Sequence, residues 1–230
     1  MNERQQPDKN QIENLLGEQI DNISLLKETS RSFLYHVKAK REYLLKKSKK
    51  ESILEEFDNH KRIYECWLKE KENLRFRIPE VYLLDAGEKF YLMEYIESGL
   101  NLLEVLFQDR DNTNQIFKVA GECVNQYHNL ATKYLLQDKE SILKHDTVKQ
   151  LLNSGLARKI RKILDGFADN TYRIIFKDFT LSNIVLDKDN NIYFLDFQKI
   201  YYYAPFYYDL ARFIDTGRVL ASSAGRCFFF

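Results

Sequence analysis

Apolar and polar positions alternate along the first hundred residues in short runs, the pattern of half-buried strands. Residues 20–26 and 33–38 read as two strands joined by the polar stretch 27–32, and residues 42–46 as a third. Before them, residues 1–10 read as a disordered tip, and 11–16 as a short helix that stops at Gly17. Residues 52–68 change period: apolar positions recur at three- and four-residue steps with no Pro or Gly, which predicts a helix. Ile78-Pro79-Glu80 breaks the pattern. Residues 81–85 and 90–95 then read as strands around the turn Ala86-Gly87-Glu88.

Glu97-Ser98-Gly99 is the best linker candidate. Beyond it the spacing turns helical over 102–107, 115–134 and 147–167, and again over 208–214. A short β-type run at 173–176 interrupts this. Residues 184–187 and 192–196 form an expected hairpin over Lys188-Asp189-Asn190-Asn191, whose side chains suit tight turns. The expected fold is α+β in two lobes. A small antiparallel-sheet lobe with one helix (1–96) is followed by a larger, mainly helical lobe (97–230), with a cleft between them.

Composition narrows the functions. With 35 basic against 34 acidic residues, nothing in the charge points to nucleic acid or an anionic membrane. Cys66, Cys123 and Cys227 lack the spacing of a disulfide framework or a zinc site, so a reducing, cytoplasmic location is expected. The polar N-terminus has no signal core, and no apolar run approaches the ~20 residues of a membrane helix.

The candidate chemistry lies in Asp178-Phe179-Thr180-Leu181-Ser182-Asn183 followed by Asp196-Phe197-Gln198. An Asp, an Asn five residues later and a second Asp after an apolar strand have the spacing of a phosphoryl-transfer site. Asp178 would orient or accept the proton of the acceptor hydroxyl. Asn183 and Asp196 would hold magnesium through hard oxygens, brought together by the hairpin between them.

Such a site needs a lysine to grip the phosphates of the nucleotide, ATP, and Lys46 and Lys47 are the candidates. On a strand Leu44 and Lys46 share one face, and Tyr43, Leu45 and Lys47 the other. Tyr43-Leu44-Leu45-Lys46 fits the kinase Val-Ala-Ile-Lys pattern, which favours Lys46. On the predicted helix, Ile53, Glu56, His60, Ile63 and Trp67 form one stripe, with Asn59 and Cys66 nearer its polar side. A carboxylate on that largely apolar face needs a cation. Glu56 paired with Lys46 supplies one, and His60 reads as a packed histidine.

With these residues placed, the chain resembles the aminoglycoside phosphotransferase and choline-kinase-like branch of the protein-kinase superfamily over roughly residues 23–216. Phe176-Lys177-Asp178-Phe179-Thr180-Leu181-Ser182-Asn183 is similar to its His-Gly-Asp-x-x-x-x-Asn loop, with Phe176 and Lys177 replacing His and Gly. Leu195-Asp196-Phe197-Gln198 is similar to its metal-binding element, and Tyr207-Tyr208-Asp209-Leu210-Ala211 to its Tyr-Asp-Leu-Ala motif. The resemblance implies that Asp209 braces the catalytic loop. It also implies that backbone around Glu94 to Ile96 bonds the adenine edge, and that Ser30 or Ser32 supplies phosphate donors in the glycine-free turn.

The resulting expectation is an ATP- and magnesium-dependent transfer of phosphate to a hydroxyl of a small molecule: a sugar, amino sugar or amino alcohol. Two alternatives stand beside it. The same motifs resemble the small atypical kinase of the tRNA-threonylcarbamoylation complex, which works with protein partners. The replaced loop residues also fit a nucleotide-binding pseudokinase or scaffold.

Overall fold

The computed structural model describes residues 7–49, 53–108, 113–135, 172–175, 180–197 and 202–205. It begins with helix α1 (Lys9–Leu16), longer than the expected 11–16 because Asp8 caps its N-terminus by accepting from the Asn10 amide. Gly17 closes it in the left-handed region at φ +68°.

Strands β1 (Asn22–Glu28), β2 (Ser32–Lys38) and β3 (Glu42–Ser48) follow, then α2 (Leu54–Leu68), β4 (Phe76–Arg77), β5 (Val81–Asp85) and β6 (Phe90–Glu94). A five-stranded antiparallel sheet runs in the order β1-β2-β3-β6-β5. The first strand starts two residues later than expected and continues to Glu28, with its register shifting between Leu25 and Lys27. The loop to β2 is therefore a tight turn at Thr29–Ser32.

Each face of this sheet has its own packing. One carries Tyr35, Val37, Tyr43 and Leu45, sealed by the fully buried Ile12 of α1 and by Ile20. Burial of each such isoleucine stabilises the lobe by about 1.5–3 kcal/mol. The opposite face carries Leu44, Tyr91 and Met93, packed with Ile53 and Phe57.

The chain continues through β7 (Leu100–Asn101), α3 (Leu102–Gln108), α4 (Thr113–Leu135), β8 (Tyr172–Ile175), β9 (Ile184–Leu186), β10 (Ile192–Phe194) and β11 (Tyr202–Pro205). A second sheet runs β4-β10-β9-β7, with β4 parallel to β10, and β8 pairs with β11. The expected hairpin is present as β9 and β10. β9 stops one residue short of the prediction, at Leu186, because Asp187 turns back to accept from the amides of Asp189 and Asn191. β10 ends at Phe194, two residues before Asp196, whose φ of +68° is not that of a strand.

Helix α2 joins the two packing regions. Its Ile63 and Cys66 enter the second core with Phe76, Ile78, α4 residues and the β9–β10 hairpin. Asn59 and Cys66, expected near the polar side, are buried. A helix covered by a sheet on one flank and by α4 on the other buries more than one stripe. The predicted helices at 147–167 and 208–214 lie outside the described residues. Among the described residues, no helix is long and apolar enough to cross a membrane.

Candidate active site

Strand alternation carries the site's cation. In β3 the side chain of Lys46 lies on the Leu44 face, opposite Leu34 of β2 and Tyr91 of β6. It is 9% exposed. Its Nζ lies 2.5 Å from Glu56 Oε1 and 3.0 Å from Asp196 Oδ1. Lys47 points to the other face and meets Glu88 at 3.2 Å. Lys46 alone of the two thus reaches Glu56 and Asp196.

Burial pulls the Lys46 ammonium toward neutrality, but the charges of Glu56 and Asp196 outweigh it and hold its pKa above the ordinary lysine value. Burial pushes Glu56 up. Lys46 pulls it down, Asp196 adds to the rise, and hydrogen bonds from Lys46 and the Tyr91 hydroxyl oppose it. With two donors converging on Oε1, the carboxylate is the form that this geometry accommodates.

Asn183 and Asp196 sit at the same end of the β9–β10 hairpin. Asn183 precedes Ile184, which pairs with Phe194, and the Leu195 amide donates to the Asn183 carbonyl at 2.9 Å. The Asn183 amide donates in turn to the Thr180 carbonyl, closing a short 3-10 turn (Leu181–Asn183) ahead of the strand. Asp196 has φ +68°, a conformation that Asp and Asn tolerate better than most residues. Asp178 and Asp209 lie outside the described residues.

The other predicted positions lie at strand ends or in the turns beside them. Glu94 ends β6, where its amide donates to the Glu80 carbonyl and its Oε2 accepts from the Glu80 amide. The Ile96 carbonyl accepts from the Gly99 amide, turning the chain toward β7. Ser30 is exposed at the β1–β2 turn. The Ser32 amide donates to Thr29 Oγ1 at 2.9 Å, and the two hydroxyls are 3.1 Å apart. Ser32 therefore shapes the turn, and Ser30 is the serine there that faces solvent.

The family model described as the phosphotransferase enzyme family matches residues 26–224. The chain belongs to the phosphotransferase enzyme family. No curated protein matches the sequence. Among solved structures, the phosphotransferase is similar to the aminoglycoside phosphotransferase APH(4)-Ia in ternary complex with AMP-PNP and hygromycin B. That likeness has a TM-score of 0.62 at 12% identity and covers 96% of this chain and 83% of the other. It is similar to choline kinase LicA from Streptococcus pneumoniae, with a TM-score of 0.55 at 17% identity over 90% of this chain and 72% of that one. A putative fructosamine-3-kinase from Thermobifida fusca gives a TM-score of 0.53 at 14% identity, covering 96% and 85%. The fold is therefore the two-lobed, protein-kinase-like α+β fold that the sequence pattern predicts, and the expectation of a kinase-type phosphotransferase is borne out.

Two residues around this candidate site escaped the sequence reading. Tyr91, on an apolar strand face, reads as core until its hydroxyl is seen on Glu56. Thr29 organises the β1–β2 turn by accepting from the amides of Arg31 and Ser32. His60 is packed, as its stripe implied. Its Nε2 lies 2.8 Å from the Pro79 carbonyl, which can only accept, so Nε2 carries the proton. The bare Nδ1 is buried with no hydrogen-bond partner among the described residues.

Proposed function

We propose that this phosphotransferase moves the γ-phosphate of ATP, with magnesium, onto a hydroxyl of a small molecule such as a sugar, an amino sugar or an amino alcohol. The observation that carries the reading is Lys46 bridging Glu56 and Asp196. A buried ammonium held by one buried carboxylate and one at the hairpin end is placed to trade the second partner for phosphate oxygens. Phosphoryl transfer is governed by such positioning and charge.

In this reading Glu56 holds Lys46 in place. Backbone groups of Glu94 and Ile96 meet the nucleobase edge, and Ser30, with Ser32 behind it, supports the phosphate turn. The donor set fits magnesium: one carboxylate and one amide oxygen, both hard ligands, on adjoining chain segments, the ion's other positions being ones that phosphate oxygens commonly fill. Asn183 and Asp196 would hold the ion, which would neutralise phosphate charge. Asp178 would take the acceptor proton. Residues 1–96 would form the nucleotide lobe and 97–230 the acceptor lobe. A cytoplasmic location suits an enzyme that draws on ATP.

The acceptor class is suggested by what similar folds are described with: hygromycin B, spectinomycin and streptomycin complexes, and enzymes called choline kinase and fructosamine-3-kinase. The test is incubation with ATP, magnesium and a panel of amino sugars, glycated amines and amino alcohols, following ADP release. Turnover with one class, lost in Asp178→Ala while nucleotide binding persists, supports the reading. Full activity of Asp178→Ala removes the assigned role. Nucleotide binding without turnover on any acceptor favours a scaffold.

A further inference from the structure

Tyr91 introduces a hydroxyl into an otherwise apolar cluster. It is 1% exposed, and its neighbours on this face of the sheet include Met93, Ile53 and Leu44. Its register partner on β3 is Lys46. Its hydroxyl donates at 2.9 Å to Glu56 Oε1, the same oxygen that Lys46 engages at 2.5 Å. The ring is held from α2 by edge contacts with Phe57 and His60 at centroid separations of 5.8 and 6.1 Å. One carboxylate oxygen thus ties β3, β6 and α2 together.

We propose that Tyr91 is a positioning residue for phosphate binding: its buried hydroxyl anchors Glu56, so that Lys46 keeps its aim when it leaves Asp196 for the nucleotide. The proposal rests on the nucleotide-binding reading above. Lys46 has a flexible four-carbon stem and, in this structure, two carboxylate partners. Once Asp196 turns to a metal ion, Glu56 becomes the carboxylate that fixes the ammonium. A carboxylate held by a single mobile cation can rotate with it; one held from a rigid strand by a second donor cannot. Burial, reinforced by the charge of Glu56, drives the phenol pKa well above its ordinary value, so Tyr91 remains a donor wherever the enzyme works. A phenylalanine here would occupy nearly the same space, so the oxygen's consequence runs through Glu56.

A double-mutant cycle tests this, with Mg·AMP-PNP as the titrated probe and urea midpoints measured in parallel. Tyr91→Phe should weaken Mg·AMP-PNP binding about tenfold in the otherwise unchanged protein, the scale of one hydrogen bond to a charged group. In a Glu56→Met background, where the hydroxyl has lost its acceptor, the same change should alter binding less than about twofold and raise the urea midpoint. Tyr91→Met serves as a second hydroxyl-free variant and should follow the same pattern. Equal weakening in both backgrounds, or none in the first, overturns the role given to Tyr91 and leaves the nucleotide reading intact. An unmodified protein that does not bind Mg·AMP-PNP overturns both.

Discussion

Lys46 Nζ lies 3.0 Å from Asp196 Oδ1, an ion pair spanning 150 positions of sequence. It joins the middle strand of the first sheet to the end of the β9–β10 hairpin. On its other side the same nitrogen meets Glu56, so one cation serves two carboxylates, one buried and one with its side chain 32% exposed. The two carboxylates should respond differently when the cation is removed.

Lys46→Met strands Glu56 in a buried environment, whereas Asp196 can turn to water. Removing one partner of a buried pair costs about 3–5 kcal/mol. Lys46→Met should therefore lose about 3 kcal/mol of stability, and adding Glu56→Met should recover most of it. Lys47→Met breaks a pair whose Glu88 is half exposed and should cost less than about 1 kcal/mol. Urea unfolding of the four proteins checks this. Equal losses for the two lysine variants would contradict the burial argument.

Asp196→Asn keeps a residue that accepts the left-handed backbone at φ +68° and removes only the charge. In the unmodified protein, magnesium should tighten AMP-PNP binding by about tenfold or more, because the ion offsets phosphate charge beside a carboxylate. In Asp196→Asn that enhancement should shrink to about twofold or less. Without magnesium the variant should bind AMP-PNP at least as tightly as the unmodified protein, because it lacks the carboxylate that repels phosphate and competes for Lys46. Calorimetric titration with and without magnesium measures it. An undiminished magnesium effect in the variant would detach Asp196 from the metal.

Much of the Lys46 network was legible in sequence because it depends on local periodicity. A two-residue repeat separates Lys46 from Lys47, and a helical stripe puts Glu56 on a buried face. Asp189, Asn190 and Asn191 mark the hairpin turn that brings Asn183 alongside Leu195. What escaped is fixed by partners distant in sequence. Strands β4 and β7 are two residues each and exist because β10 and β9 lie beside them. Residues 202–205 become β11 by pairing with β8. The Tyr91 hydroxyl has no signature on its own strand, since its acceptor is 35 residues away. Asp178 combines a strong motif with a position outside the described residues.

Gly99 lies where the chain passes from the first sheet to the second. A Cβ there would sit 2.8 Å from Val185 Cγ1 and 3.1 Å from the Ile96 carbonyl oxygen. The side chain belongs to β9 and the carbonyl is backbone, so neither gives way cheaply. Gly99→Ala should cost about 1–3 kcal/mol. Gly87→Ala, whose new carbon would meet Asp85 Oδ1 at an ordinary 3.4 Å, should stay within about 0.5 kcal/mol. Thermal denaturation distinguishes the two, and a neutral Gly99→Ala would show that this passage is looser than its contacts indicate.

His60 should make the fold acid-sensitive. Burial is the main reason its pKa falls from 6.5 to about 3, with the Pro79 carbonyl and the charges of Lys46 and Asp196 acting around it. The unfolded chain binds a proton as pH drops through about 6.5, while the folded chain refuses it until about 3. Stability is thus lost progressively across that window, and the loss levels off below it. Between pH 7 and pH 5 this one group should remove about 2 kcal/mol. In His60→Gln the amide can still donate to the Pro79 carbonyl but has no proton to take up. Acidic residues titrate in both proteins and cancel in the comparison. Urea unfolding at pH 7 and pH 5 should show the unmodified protein losing about 2 kcal/mol more than His60→Gln. Parallel losses would mean that the imidazole is protonated inside the fold, in contact with water or an acceptor for its Nδ1 proton.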